Sequence, residues 1–254
     1  MDQSQLARRC QFLREMHIPG QPLVLPNAWD AGSARAVVAA GFVAVATTSA
    51  GVAAALGYDD QEAAPVDEMF AAAARIVRAV GDVPVTVDAE AGYGLLADEL
   101  VFRLQKLGVA GINLEDTDHG AGSLVPTQRQ TRRINEVRTA AERIGYPLVV
   151  NARIDVFLFD RERPQLELVE EGVERARAYL DAGADCVYPI FLRDADARRS
   201  FVEATPGPVN VLAMPGQGTF RELAADGVAR VSYGASLYRQ AITRFTEELE
   251  RITE

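Results

Sequence analysis

One phrase recurs along most of the chain and restricts its fold more than any other feature: an amphipathic helix closed by glycine, then a short apolar strand. It is plain in Lys106-Leu107-Gly108-Val109-Ala110-Gly111-Ile112 and again in Asp181-Ala182-Gly183-Ala184-Asp185-Cys186-Val187. Glycine accepts the left-handed conformation that ends a helix, and a short run rich in Val and Ile then enters a sheet. Gly41, Gly81, Gly108, Gly145, Gly183 and Gly227 are the expected helix-ending positions. Apolar runs at 23–28, 42–48, 84–90, 111–116, 148–153, 186–190, 209–213 and 228–232 make eight candidate strands. Most are apolar on both faces, as parallel strands under a helical layer must be. Helical patterns span 31–40, 66–80, 98–107, 127–144, 166–182, 195–204, 219–225 and 235–252, with a leading helix at 3–17.

Eight such units in 254 residues, with no break in composition, predict one domain over 1–254, an α/β chain closed into a (β/α)8 TIM barrel. The open doubly wound sheet is the alternative, but its first strand leads into a glycine-rich nucleotide loop. Here that place reads Pro26-Asn27-Ala28-Trp29-Asp30.

The net charge of -10 disfavours nucleic acid and anionic membrane surfaces as partners. No apolar run approaches the ~20 residues of a bilayer span, and the first residues lack a secretory pattern. The cytoplasm is the default location. Two distant cysteines, Cys10 and Cys186, and two histidines, His17 and His119, point to neither a disulfide framework nor a zinc cluster.

A barrel of this type works at the C-terminal ends of its strands, so the residues found there are the candidates. The third strand ends in Asp88-Ala89-Glu90, whose acids, two apart on a strand, share a face. The fourth ends in Glu115-Asp116, the fifth in Arg153 and Asp155, and the seventh carries Asn210, a candidate substrate contact. Converging carboxylates raise one another's pKa unless a cation sits among them, and hard oxygen ligands suit Mg²⁺. Helix caps or salt bridges are the alternative for each acid taken singly. Thr48-Ser49-Ala50-Gly51 reads as a small flexible loop whose N–H groups could hold a carboxylate, or as a plain turn. Asp60 lies on the long excursion after the second strand, within reach of the mouth or simply solvated. Arg153 needs an anionic partner, either a substrate or a neighbouring acid. Asp118-His119-Gly120-Ala121-Gly122-Ser123 reads as a mobile loop, a gate or a surface feature.

These residues resemble the isocitrate lyase / phosphoenolpyruvate mutase superfamily over about residues 23–238. The most specific elements are Val87-Asp88-Ala89-Glu90-Ala91-Gly92-Tyr93-Gly94 and Ile112-Asn113-Leu114-Glu115-Asp116, with Asn151-Ala152-Arg153-Ile154-Asp155 in support. The resemblance implies a TIM barrel, commonly with its last helix exchanged between subunits of a homodimer or homotetramer. It implies bound Mg²⁺, with Mn²⁺ as an alternative, and cleavage beside the carbonyl of a small 2-oxo or dicarboxylic acid. By the same resemblance Asp88 is the principal metal ligand, with Glu90 and Glu115 holding the metal directly or through water. Asp60 is the loop acid near the metal, and Thr48, Ser49 and Ala50 grip the substrate carboxylate. Arg153 contacts the oxo acid, and Asp60 and Arg153 are the catalytic candidates.

The sequence also departs from the family. The lyases carry a Lys-x-Cys-Gly loop with a catalytic Cys, and no Cys lies between Cys10 and Cys186. Glu90 stands where better-known members have Asp, and Ile190 where lyases have Glu on the sixth strand. A Mg²⁺-dependent lyase or hydrolase is the expectation. A phosphonopyruvate-type mutase or hydrolase acting on a P–C bond and a non-catalytic oxo-acid binder are the alternatives.

Overall fold

Proline has no N–H to give to a strand ladder, and Pro26 splits the first strand, β1, into Leu23–Leu25 and Asn27–Ala28. The computed structural model describes residues 2–214 and 218–252. The remaining barrel strands are β2 Val45–Thr47, β3 Val85–Asp88, β4 Gly111–Glu115, β5 Val149–Ile154, β6 Cys186–Pro189, β7 Asn210–Leu212 and β8 Arg230–Ser232. The two pieces of β1 face different neighbours: Leu23–Leu25 pairs with β8 and Asn27–Ala28 with β2. Parallel pairing continues from β2 to β6, and β7 pairs with β8. A parallel bridge between Val187 and Val209 joins β6 to β7. The ring is therefore closed, and the fold is the expected (β/α)8 TIM barrel.

The helices are α1 Gln3–Glu15, α2 Ala31–Ala39, α3 Ser49–Leu56, α4 Val66–Ala79, α5 Ala97–Leu107, α6 Thr127–Arg143, α7 Val156–Phe159, α8 Val169–Asp181, α9 Ala195–Ala204, α10 Phe220–Ala225 and α11 Ser236–Ile252. All six glycines expected to end helices adopt positive φ, between 61° and 103°. The leading helix α1 plugs the lower end of the barrel with Leu6, Cys10 and Leu13. Gly111 leaves the room for that plug, since a Cβ there would lie 2.9 Å from Leu13 Cδ2. Burial pushes the thiols of Cys10 and Cys186 up to about 12, so both behave as small core residues.

Three local expectations are corrected. The Thr48-Ser49-Ala50-Gly51 stretch is not a loop but the start of α3, with Thr48 in extended conformation before the first turn. Ala and Val at five of its eight positions support the helix. The stretch around His119 is a β-hairpin, Thr117–Asp118 against Ser123–Leu124, closed by Asp118 Oδ1 accepting from the N–H of Ala121. Finally, β3 stops at Asp88 and β4 at Glu115, each short of the expected end.

Asp116 anchors the outer layer to the barrel. It is fully buried and accepts hydrogen bonds from Asp155 N (2.8 Å), Arg175 Nη1 (2.9 Å) and Tyr179 OH (2.7 Å). Burial and nearby Asp155 raise its pKa, while Arg175 opposes the rise. Removing one partner of such a pair costs more than the pair itself contributes. Arg175→Met is expected to destabilise the protein by about 3–5 kcal/mol in urea unfolding at pH 7. An acid raised in the fold makes stability fall as pH climbs from the unfolded pKa to the folded one. The deficit should therefore be smaller at pH 5.5 than at pH 8, and Asp116→Asn added to Arg175→Met should recover part of it.

Candidate active site

All eight strands send a residue from their C-terminal ends into one cavity of about 1050 Å³: Asn27, Thr48, Asp88, Glu115, Arg153, Tyr188, Leu212 and Ser232. This is the face where a TIM barrel places its chemistry. Loop residues Asp60, Glu90 and His119 also line it. Thr48, Ser49, Ala50, Asp60, Asp88, Glu90, Glu115 and Arg153 thus come together as candidates of one site. Asn210 does not. It is fully buried beneath the floor, where it and Ser232 exchange contacts of 3.3 and 3.4 Å. Its side chain points to the inner layer of the barrel, which sequence alternation alone did not distinguish from the mouth.

Asp88 is oriented by two neighbours. Its N–H donates to Thr47 Oγ1 (2.9 Å), and its Oδ2 accepts from the N–H of Ser49 in the first turn of α3 (3.2 Å). The other oxygen, Oδ1, is buried without a hydrogen-bond partner. Glu90 reaches the cavity by a different route from the one its spacing implied. It lies beyond β3 in a turn at φ 47°, so strand alternation does not place it. Its Oε1 accepts from Tyr93 OH (2.9 Å) and its Oε2 from the N–H of Glu62 (2.6 Å). Tyr93 N–H donates in turn to Glu62 Oε1 (2.6 Å), which sews the two loops together. Gln61, Glu62 and Tyr93 also have positive φ, a conformation that costs a non-glycine residue free energy and gathers at functional sites. Gly92, at φ 96°, admits the Arg133 guanidinium 2.7 Å from where a Cβ would stand.

Arg153 lies between two acids. Its Nε and Nη2 hold the two oxygens of Asp155 at 2.6 and 2.9 Å, and its Nη1 is in ion-pair contact with Glu115 Oε2. Burial alone would lower its pKa, but Asp155 and Glu115 hold it well above the usual value. The structural ion pair and the substrate contact therefore coexist as readings, since Arg153 also faces the cavity. Glu115 has a second partner, His119 Nε2, at 2.8 Å. Sequence reasoning did not foresee this contact, although the spacing of four residues across a tight hairpin was a readable signal. Burial opposes a charge on His119, but Glu115, Glu62 and Glu90 outweigh it and raise the pKa.

The electrostatics identify where positive charge is lacking. Burial and the field of Asp88 push Glu90 up to about 8. Desolvation and Asp88 also raise Asp60. Among the described residues no three Asp, Glu, His or Cys side chains already stand as a metal-ligating cluster. Of the three acids expected to hold the metal directly or through water, Glu115 is engaged by Arg153 and His119, and Glu90 by Tyr93 and the amide of Glu62. Of the three, Asp88 keeps a buried oxygen, Oδ1, with neither a hydrogen bond nor an ion pair, whereas Glu115 Oε2 has Arg153. That oxygen, beside two carboxyls raised by burial and by Asp88 itself, fits a hard divalent cation.

The comparisons with known proteins agree with the geometry. Residues 13–253 match the family model described as phosphoenolpyruvate phosphomutase. The chain belongs to the isocitrate lyase / phosphoenolpyruvate mutase superfamily. A solved structure from Burkholderia cenocepacia J2315, assigned as a phosphonomutase, is 41% identical, covers 96% of this chain and 99% of its own, and superposes with a TM-score of 0.90. An uncharacterized protein of Mycobacterium tuberculosis is 36% identical over 89% of this chain and 85% of its own. The 2-methylisocitrate lyase of Bacillus subtilis is 31% identical over 82% of this chain and 67% of its own.

A ligand that binds only the folded state stabilises it, by about 2.7 kcal/mol at roughly 100 times its Kd. Titrating Mg²⁺ into the metal-free protein is expected to raise the thermal midpoint. Asp88→Asn should abolish that shift, and Glu115→Gln should reduce it by less.

Proposed function

We propose that this protein is a Mg²⁺-dependent lyase or hydrolase that cleaves a C–C bond in a small 2-oxo or dicarboxylic acid through an enolate-like intermediate. The observation that carries the reading is the free buried oxygen of Asp88, set between the first turn of α3 and the Arg153 clamp. Asp88 would hold the cation, with Asp60 and Glu90 close by and Glu115 acting through water. Mn²⁺ is chemically acceptable to the same oxygen donors. When bound, the cation supplies Lewis acidity toward a substrate oxygen.

The chain's own groups supply the rest. Thr48 makes no side-chain cap on α3 and Asp88 takes the N–H of Ser49, so the amides of Ala50 and Gly51 remain for a substrate carboxylate beside Thr48 and Ser49. Arg153, immobilised by Asp155 and Glu115, presents fixed positive charge where the enolate oxygen forms, which lowers such a barrier without reorganisation. Where the acid carries a hydroxyl on one carbon of the scissile bond, Asp60 removes its proton and that carbon becomes a carbonyl as the C–C bond breaks. The electron pair of that bond becomes the enolate, and His119 returns a proton to its carbon. His119 thereby takes the place of the absent lyase cysteine. Phosphonate chemistry at a P–C bond is the second reading, favoured by the similarity to the Burkholderia protein.

A panel of 2-oxo and 2-hydroxy dicarboxylic acids, with phosphonopyruvate included, decides between these readings. Turnover of a carboxylic acid that is lost with EDTA and in Asp88→Ala is the expected result. Asp60→Asn and His119→Asn should each reduce kcat by about 10²–10⁴. Phosphate release from phosphonopyruvate alone would favour the second reading. Ligand binding without turnover of any compound would leave a non-catalytic binder.

We also propose a homodimer or homotetramer. Helix α11 touches the barrel near its start, where Tyr238 meets Trp29 edge-on at 5.4 Å. Farther along, Ile242, Phe245, Leu249 and Ile252 are exposed, an apolar face suited to a second copy. Light scattering should show an oligomer, and Phe245→Glu with Leu249→Glu should yield monomer. A monomeric wild type would refute the assembly.

A further inference from the structure

Below the cavity floor lies a fully buried arginine without a counter-ion. Arg230, at the start of β8, has no acid within ion-pair distance among the described residues, and its Nε and Nη1 have no hydrogen-bond partner. Its one side-chain hydrogen bond goes upward: Nη2 donates to Asn113 Oδ1 at 3.2 Å. Asn151 Nδ2 donates to the same oxygen at 2.9 Å. Neighbouring His17 adds no charge: burial and Arg230 hold it down at about 4, and its Nδ1 donates to Leu13 O at 2.7 Å.

An uncompensated buried guanidinium is costly, so its position calls for an account. Asn113 supplies one. Arginine donates and never accepts. The atom of Asn113 that faces Arg230 must therefore be its oxygen, which fixes the amide without appeal to how the two ends were assigned. The Nδ2 end is then turned away from Arg230. Asn113 lines the cavity and stands opposite Asp88 in the strand register. Its Nδ2 makes no hydrogen bond within the protein among the described residues.

We infer that Asn113 binds an oxygen of the anionic substrate through Nδ2, and that Arg230 is the positioning residue that orients this amide and supplies buried positive charge beneath it. The inference rests on the 2-oxo acid reading above and adds a binding group to it. The substrate class it selects is a dianion whose second oxygen reaches the floor on the β4 side of Asp88. Arg230 attracts the anion and repels the cation at Asp88, so the two ligands should answer its removal with opposite signs.

Calorimetric titration separates the cases, with oxalate in the presence of Mg²⁺ as one arm and Mg²⁺ alone as the other. Asn113→Leu should weaken oxalate about tenfold or more, as expected for a lost hydrogen bond to a charged group, with Mg²⁺ affinity held within about twofold. Arg230→Met should weaken oxalate and leave Mg²⁺ binding unchanged or tighter. Arg230→Lys, which keeps the charge, should restore part of the oxalate affinity. If Arg230→Met does not fold, Asn113→Leu and Asn113→Ser decide, with Ser, a shorter donor, falling between Leu and wild type. Unchanged oxalate affinity in Asn113→Leu overturns the inference and leaves the proposed function standing. Equal losses for oxalate and Mg²⁺ in Arg230→Met also overturn it, since that is what a packing role produces. A wild type that binds Mg²⁺ but not oxalate overturns the inference and the proposed function together.

Discussion

Asp60, Asp88, Glu90, Glu115 and Asp155 crowd together at the strand ends of this barrel, and the Arg153 guanidinium is set among them. Like charges held this close in partly dehydrated surroundings cannot all ionise without help. The site resolves the conflict in two ways. On the β4–β5 side, Arg153 and His119 neutralise Glu115, and Arg153 holds Asp155. On the β2–β3 side the nearest basic contact among the described residues is a distant one, His119 Nε2 at 4.0 Å from Glu90 Oε2, and burial and Asp88 raise Glu90 and Asp60. The same imbalance would let a chain of net charge -10 serve the anionic substrate proposed for it. The anion is drawn by local positive charge, while the overall field opposes it.

The ring of strands was legible because its signal repeats. Each glycine ending a helix required one local conformation, and each apolar run had to be buried on both sides. The end of each strand was less legible, since runs such as 42–48 and 84–90 extend past the point where ladder hydrogen bonding stops. Helix α3 was hidden because Ser, Ala and Gly at its start suit a turn as well as a helix, and its packing decides. For the site, membership was readable from the strand ends, but contact was not. Glu90 arrives through a left-handed turn, Asn210 lies one layer too deep, and the His119–Glu115 contact depends on a hairpin that the sequence rendered only as a glycine-spaced stretch. Arg230 stands at the beginning of a strand rather than its end, where nothing in the sequence pattern marks a site residue.

Membership of the superfamily sets the frame, and the departures specify what this chain must do differently. Where the resemblance implied a cysteine loop, this chain has a hairpin that carries an imidazole against Glu115. The longer Glu90 side chain reaches the amide of Glu62 and the hydroxyl of Tyr93, so this acid also fastens the loop that bears Asp60. A position expected only to ligate therefore also shapes the entrance.

Among the described residues the non-glycine positions with positive φ are Gln61, Glu62, Glu90, Tyr93 and Phe191, and all five lie in segments that leave the C-terminal end of a strand. None lies in the lower half, where α1 closes the barrel. Each such residue costs on the order of 1–3 kcal/mol, so conformational tension in this molecule is polarised along the barrel axis. Substitutions that ease the upper turns would gain robustness by dissolving the constellation those turns hold. The lower face is where the protein has latitude to become hardier without becoming idle.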